Sequence, residues 1–442
     1  MRKILLVPVL LLSLLMPLCA DAPVITLSEA IESAMENSTD MEIARLTLQS
    51  SLRSACNASQ YIPDLSLTGS ATINGSMLGN TTLDKMSGNG SAGFNIGITM
   101  GLGTSMIGTT AVNNAKRTIA NLTYAMSLSD LEQGITKSYW TLVSSKRSLE
   151  SMENDLAAAE RAYDDTKAAY DSGLVTSLEL SNAELSVLNY EYALKQLQDA
   201  YVLSQDAFRT LTGIEGEFDV TDFPEIVYLS LPTAEELYNK YGESSNTIKM
   251  LHASVATSEA ALTLQQVSSL YPSVSLALNY NLGGDAYMNY PPSAENNFND
   301  VASATVTVSI PISSYIPGSS ANNSLKNAED SVAISKLELN AGRKDYISAL
   351  RSTLTSIEQN RSNIEITSKK VEVAQNTYDL ALESYNAGLT SFSDLQTRMD
   401  ALSSAQIELI NAESEYIQNV YSLSFMLDID YESLVTLYAE KQ

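Results

Sequence analysis

The sequence predicts an α+β chain in which one unit occurs twice: two β-strands followed by a long, coiled-coil-like helical hairpin. Three observations predict it. A ladder of large apolar residues at seven-residue steps, Ile135, Leu142, Leu149, Leu156, Tyr163 and Tyr170, recurs 215 positions later as Leu350, Ile357, Ile364, Val371, Tyr378 and Tyr385. Both ladders run into a matched phrase, Tyr170-Asp171-Ser172-Gly173-Leu174 and Tyr385-Asn386-Ala387-Gly388-Leu389. Ahead of each ladder lie two segments that alternate apolar and polar residues with period two, the pattern of a half-buried strand.

The chain opens on a secretory signal over residues 1–20. Arg2 and Lys3 are its charged end, Ile4 to Leu18 its apolar run, and Ala20 a small residue at the cleavage point. Cys19 raises the alternative of a lipidated N-terminus. Without it only Cys56 remains, so no internal disulfide framework exists. No later segment offers the ~18 unbroken apolar residues of a membrane helix. An exported chain of this kind can span a membrane only by β-strands.

Residues 21–230 form the first repeat and 231–442 the second, each a helix, two strands and a long helical hairpin, with a C-terminal tail on the second. The opening helices are expected over about 27–61, before Pro63, and about 233–270, before Pro272. Proline lacks the N–H a helix needs and disfavours helix at the residue before it. Every second residue from Leu65 to Ile73, Phe94 to Leu102, Val274 to Leu282, and Ala302 to Ile310 falls on an apolar face. The opposite faces carry Ser, Thr, Asn and Gly with almost no charge. An ordinary sheet packed on the helices is one reading. The export signal and the uncharged polar face favour the other, a barrel with lipid outside and water within. Four strands cannot close a barrel, and open edges in lipid leave backbone groups unpaired, so several chains must combine.

The long helices are expected over about 111–170 and 321–385. At 1.5 Å per residue, sixty residues extend about 90 Å, which demands lateral support along the heptad seam. Gly173 and Gly388 end them in left-handed turns. Beyond each turn the ladder resumes at Leu180, Val187, Leu194, Tyr201 and Phe208, and at Leu395, Leu402, Leu409, Tyr416 and Leu423.

With 52 acidic against 26 basic residues, the net charge of −26 disfavours nucleic acid as a partner. The only histidine, His252, cannot make a zinc site, and Cys56 has no Cys-x-x-Cys spacing. Gly101-Leu102-Gly103 lacks the third glycine and the lysine of a nucleotide loop. Trp140 reads as a packing residue beside the seam. Nothing here reads as an enzyme, and no cofactor or metal is expected. Energy for any export has to come from a partner.

The duplicated order, the Tyr-x-x-Gly-Leu turns, and the helix-ending phrases Leu211-Thr212-Gly213-Ile214 and Met426-Leu427-Asp428-Ile429 together resemble the TolC-like outer-membrane efflux protein family over almost the whole mature chain. The resemblance implies a homotrimer with a 12-stranded transmembrane β-barrel in the outer membrane and an α-helical tube in the periplasm. It implies a passive exit duct of a tripartite efflux or type I secretion system, with a periplasmic adaptor protein and an inner-membrane transporter as partners. The adaptor would contact the turns at Gly173, Leu174, Gly388 and Leu389. Tyr385 matches the gating tyrosine, Asp394 stands at a constriction position, and Glu179 stands where the other repeat has its acidic partner. Thr390 occupies the place of the family's gate arginine, and Thr397 that of its second aspartate, with Asp400 nearby. Asp394 and Glu179 equally suit helix N-termini, where acids are favoured. The competing reading of the whole chain is a non-conducting coiled-coil envelope protein, for which the strands would have no use.

Overall fold

The computed structural model describes residues 23–58, 62–75, 88–103, 105–288 and 297–440. The expected signal segment 1–20 with Cys19 lies outside them, as do most of the two loops between paired strands. In chain order the elements are β1 (Val24–Ile25), α1 (Leu27–Asn37), α2 (Thr39–Ser54), β2 (Asp64–Gly75), β3 (Gly88–Gly103), α3 (Ser105–Asp171), α4 (Ser177–Thr212) and β4 (Asp219–Val220). There follow α5 (Ala234–Tyr241), α6 (Asn246–Leu270), β5 (Ser273–Met288), β6 (Asn297–Ser309), α7 (Ser320–Asn386), α8 (Phe392–Leu427) and α9 (Tyr431–Tyr438).

The duplication is exact in length for the hairpins. Both α3 and α7 have 67 residues, about 100 Å, and both α4 and α8 have 36. The return helices therefore cover only the lower part of the long ones. The upper part is covered by α2 and α6, so neighbouring helices run α2–α3–α6–α7 above and α4–α3–α8–α7 below. No described helix is long and apolar enough to cross a membrane.

The opening helices are not continuous as the sequence had suggested; each is broken. Thr26 and Thr233 start α1 and α5 with capping boxes closed by Glu29 and Glu236. Ser38 and Ser245 then cap α2 and α6 in turn. A serine hydroxyl that accepts from an N–H further on competes with helix continuation, so the chain turns there. The α2 helix also stops at Ser54, well before Pro63.

The four long strands form one antiparallel sheet in the order β2–β3–β5–β6. This order repeats that of the helices, because α2 leads into β2, β3 into α3, α6 into β5 and β6 into α7. Register puts Leu67, Ile96, Tyr280 and Ala302 side by side, and Leu65, Ile98, Leu278 and Ala304 in the next row. These rows make one face apolar and largely exposed, as the alternation implied, with Asp300 joining it opposite Leu282. Thr68, Asn95, Asn281 and Val301 share the other face, where Asn95 donates to Asn281 across strands.

A small element escaped the periodicity reading. Parallel β1 and β4 pair residue for residue, joining the start of the described chain to the segment between the repeats. Tyr139 on α3 holds this element: its hydroxyl lies 2.9 Å from the Ile25 carbonyl, to which it donates, and 2.6 Å from Thr221 Oγ1. Trp140 packs edge-on against Tyr139 and stacks on Phe223. Lys146 pairs with Asp219, and Arg147 with both Asp222 and Glu413. A clamp of linker and C-terminal segments thereby grips the middle of the helical layer, with Leu229 bridged to Ala439.

Candidate functional site: the hairpin tips

The tips are built by glycine. Gly173 has φ +74° and Gly388 φ +70°, and a Cβ on either would meet nothing within 4 Å. The requirement is therefore conformational, not spatial. Gly173 N–H donates to Tyr170 O at 2.8 Å and Leu174 N–H to Ala169 O at 2.9 Å. The second tip repeats the pattern with Gly388 to Tyr385 O and Leu389 to Ser384 O, both 2.9 Å. This paired closure satisfies carbonyls left over at the helix end and throws the next residue outward. Leu174 and Leu389 are 79% and 82% exposed, so each tip presents one large apolar side chain to solvent.

The acids just past the turns are caps. Glu179 closes a box with Thr176, whose N–H donates to Glu179 Oε2 at 3.0 Å. Asp394 Oδ2 accepts from Ser391 Oγ at 3.2 Å and from Thr390 Oγ1 at 3.0 Å. Thr390 thus supplies a neutral donor to Asp394. Asp394 remains exposed, whereas Glu179 is half-buried.

Tyr385 and Tyr170, equivalent in sequence, have different surroundings. Tyr170 is 41% exposed. Tyr385 packs edge-on against Phe392, which is fully buried, and its hydroxyl lies 2.6 Å from Thr166 Oγ1 on α3. Thr166 already donates to Ala162 O at 2.7 Å. One hydroxyl has one proton, so Tyr385 is the donor in the pair. This bond ties the foot of α7 to α3. Thr166 was not foreseen, because nothing in its own neighbourhood points to a partner 219 residues away.

A second polar tie lies higher up. Tyr190 on α4 donates to Asp400 Oδ1 on α8 at 2.8 Å. Burial pushes the Tyr190 hydroxyl far up, and its bond to Asp400 adds to this. Asp155 on α3 lies close by with Oδ2 buried and unpartnered, and burial raises its carboxyl above the usual range, with Asp400 adding repulsion.

The two return helices carry equivalent ladders yet pack differently. On α8, Leu395, Leu402, Tyr416 and Leu423 are buried, because α3 and α7 flank it on both sides. On α4, Leu180, Val187 and Leu194 are only half-buried, and Leu178, Leu185 and Tyr192 form an exposed stripe at seven-residue spacing. A matching stripe, Ile366, Val373 and Leu380, is exposed on α7. The helical layer therefore has two sticky edges.

The profile of the outer membrane efflux protein family matches residues 30–214 and 237–427, one span per repeat. The chain belongs to this family. Solved structures agree on the fold. CusC is 17% identical with a TM-score of 0.70, covering 91% of each chain. VceC of Vibrio cholerae is 18% identical with a TM-score of 0.66, covering 92% of this chain and 96% of its own. CmeC of Campylobacter jejuni is 12% identical with a TM-score of 0.69, covering 93% and 88%. No curated protein sequence matches the chain. As an outer membrane efflux protein it resides in the outer membrane, with its helical hairpins on the periplasmic side. The family also accounts for the apolar outer face of the sheet, which a watery compartment would not tolerate.

Proposed function

We propose that three copies assemble into a passive exit duct of a tripartite efflux or type I secretion system. The observation that carries this reading is the coincidence of open edges. Strands β2 and β6 each present an unpaired side in the described sheet, and the helices continuous with them, α2 and α7, are the outer members of the layer. Sheet and helices would therefore close at the same joint, and twelve strands from three chains would satisfy edges that lipid cannot. The stripes support the same joint. Leu178, Leu185 and Tyr192 lie 5, 12 and 19 residues beyond Gly173, whereas Leu380, Val373 and Ile366 lie 8, 15 and 22 residues before Gly388. The two sets interleave in height, as heptad seams do. The joint is head-to-tail, and such contacts close into rings.

Within this duct Tyr385, Asp394 and Glu179 form the periplasmic gate, and Gly173, Leu174, Gly388 and Leu389 present the apolar turns to a periplasmic adaptor protein. An inner-membrane transporter supplies the energy. The division into residues 1–20, 21–230 and 231–442 belongs to the same reading. Purified protein in a planar bilayer should give discrete conductance steps from a three-chain species. A monodisperse preparation that inserts and never conducts would favour the envelope-rod alternative.

A further inference from the structure

We infer that the inner wall of each chain carries a pocket for a bulky organic cation, walled by Met126, Met250, Phe425 and Met426 and rimmed by Asp130 and Asp345. The inference rests on the duct reading above, which decides what the pocket opens onto.

The cavity follows from where two helices end. Helix α8 stops at Leu427 and α6 begins at Asn246. Both lie between α3 and α7, one below and one above. Their ends leave a gap in the layer of about 570 Å³. That falls within the roughly 300–1,000 Å³ usual for small-molecule sites. Tyr346 closes the floor, with its hydroxyl donating to the Met426 carbonyl.

The opening faces away from the clamp. On α3, Ile135, Tyr139, Trp140 and Val143 are buried toward the clamp. Asp130, Gln133, Gly134 and Lys137 form an exposed stripe. At 3.6 residues per turn the two sets fall on opposite sides of the helix. Asp130 and Gln133 of the exposed stripe line the cavity. Three clamps turned inward would obstruct the passage of the proposed duct, so the face opposite the clamp is its inner wall.

The charge of the site has one sign. Asp130 and Asp345 are both exposed and are the only charged residues among those lining the described cavity. Lys249, next to Met250, reaches Asp428 at 3.9 Å instead. Two carboxylates with no base between them attract a cation and repel an anion. The walls suit an apolar body. Methionine side chains are unbranched and polarisable, and they adapt to different shapes. Phe425 adds an aromatic ring, which attracts positive charge to its face. A small inorganic cation would leave these walls unused, and an apolar anion would meet the carboxylates.

The test is isothermal titration calorimetry of the full-length protein in nonionic detergent with tetraphenylphosphonium and with tetraphenylborate, which share a shape and differ in sign. Phosphonium should bind once per chain, and borate should not bind. Asp130→Asn combined with Asp345→Asn should weaken phosphonium binding about tenfold. Met250→Lys, which sets a positive charge in the wall, should abolish it. Equal affinity in the wild type and the double variant, or borate bound as tightly as phosphonium, would overturn the pocket. Conductance of the same preparation in a planar bilayer separates this from the duct reading. A conducting protein without charge-selective binding loses the pocket alone. Charge-selective binding that depends on Asp130 and Asp345, in protein that never conducts, would overturn the duct and the placing of the pocket on its inner wall.

Discussion

Tyr385→Phe removes one hydroxyl from the proposed gate and leaves the ring in place against Phe392. Because Tyr385 is the donor, Thr166 keeps its own bond to Ala162 O and only one hydrogen bond is lost. A neutral bond of this kind is worth about 1 kcal/mol net. Three equivalent ties around the axis sum to about 3 kcal/mol, or roughly a 150-fold shift of the closed-to-open ratio. Single-channel recording in planar bilayers reads this directly as longer dwell in the high-conductance level. Thr166→Val should act in the same direction, and the double variant should add little, since both changes break one bond. An open probability unchanged in Tyr385→Phe, with trimers intact, would refute the assignment of this hydroxyl to the gate.

Asp394→Asn should weaken block of the channel by trivalent cations; block of undiminished strength in bilayer recordings would remove Asp394 from the constriction. Gly173→Ala and Gly388→Ala should each lower stability by about 1–2 kcal/mol per chain through the left-handed backbone alone, detectable as lowered thermal midpoints with the fold retained. Asp155 has its carboxyl raised by burial, so the stability it permits is complete below the ordinary aspartate range and is lost as pH rises through the raised value. Asp155→Asn should accordingly flatten thermal stability against pH over that window, and a parallel profile would mean the carboxyl does not titrate there.

Much of the architecture was legible because its signals are long. Five heptad steps per copy located both 67-residue helices to within several residues, and alternation located all four strands. The broken opening helices were legible in principle: Thr26 with Glu29 and Thr233 with Glu236 are capping boxes written in sequence. The two-residue strands β1 and β4 were not, since two residues carry no period. Nor could the ladder reveal that α8 is sandwiched while α4 is not. Equivalent heptads specify a sticky face, and only the order of neighbours decides what covers it. At the site, Tyr385 stood out as a ladder residue, yet its contrast with Tyr170 depends on Thr166 and Phe392. Phe392 stands where the first copy has Ser177, and that difference was visible. Tyr190 with Asp400 and the nearby Asp155 join three helices and have no local signature.

The clamp around Tyr139 grips α3 near its midpoint, 32 residues above Asp171. That leaves an arm of about 48 Å of unbroken helix below it, flanked by α4 and α8. Such an arm behaves as a lever with a fixed pivot. A swing of about 5° at the clamp would carry the tip sideways by about 4 Å over that length, comparable to the width of a side chain. Opening at the bottom would then need neither melting of a helix nor rearrangement of the sheet, only sliding of the packed helices against one another and yielding of the few polar ties that join them.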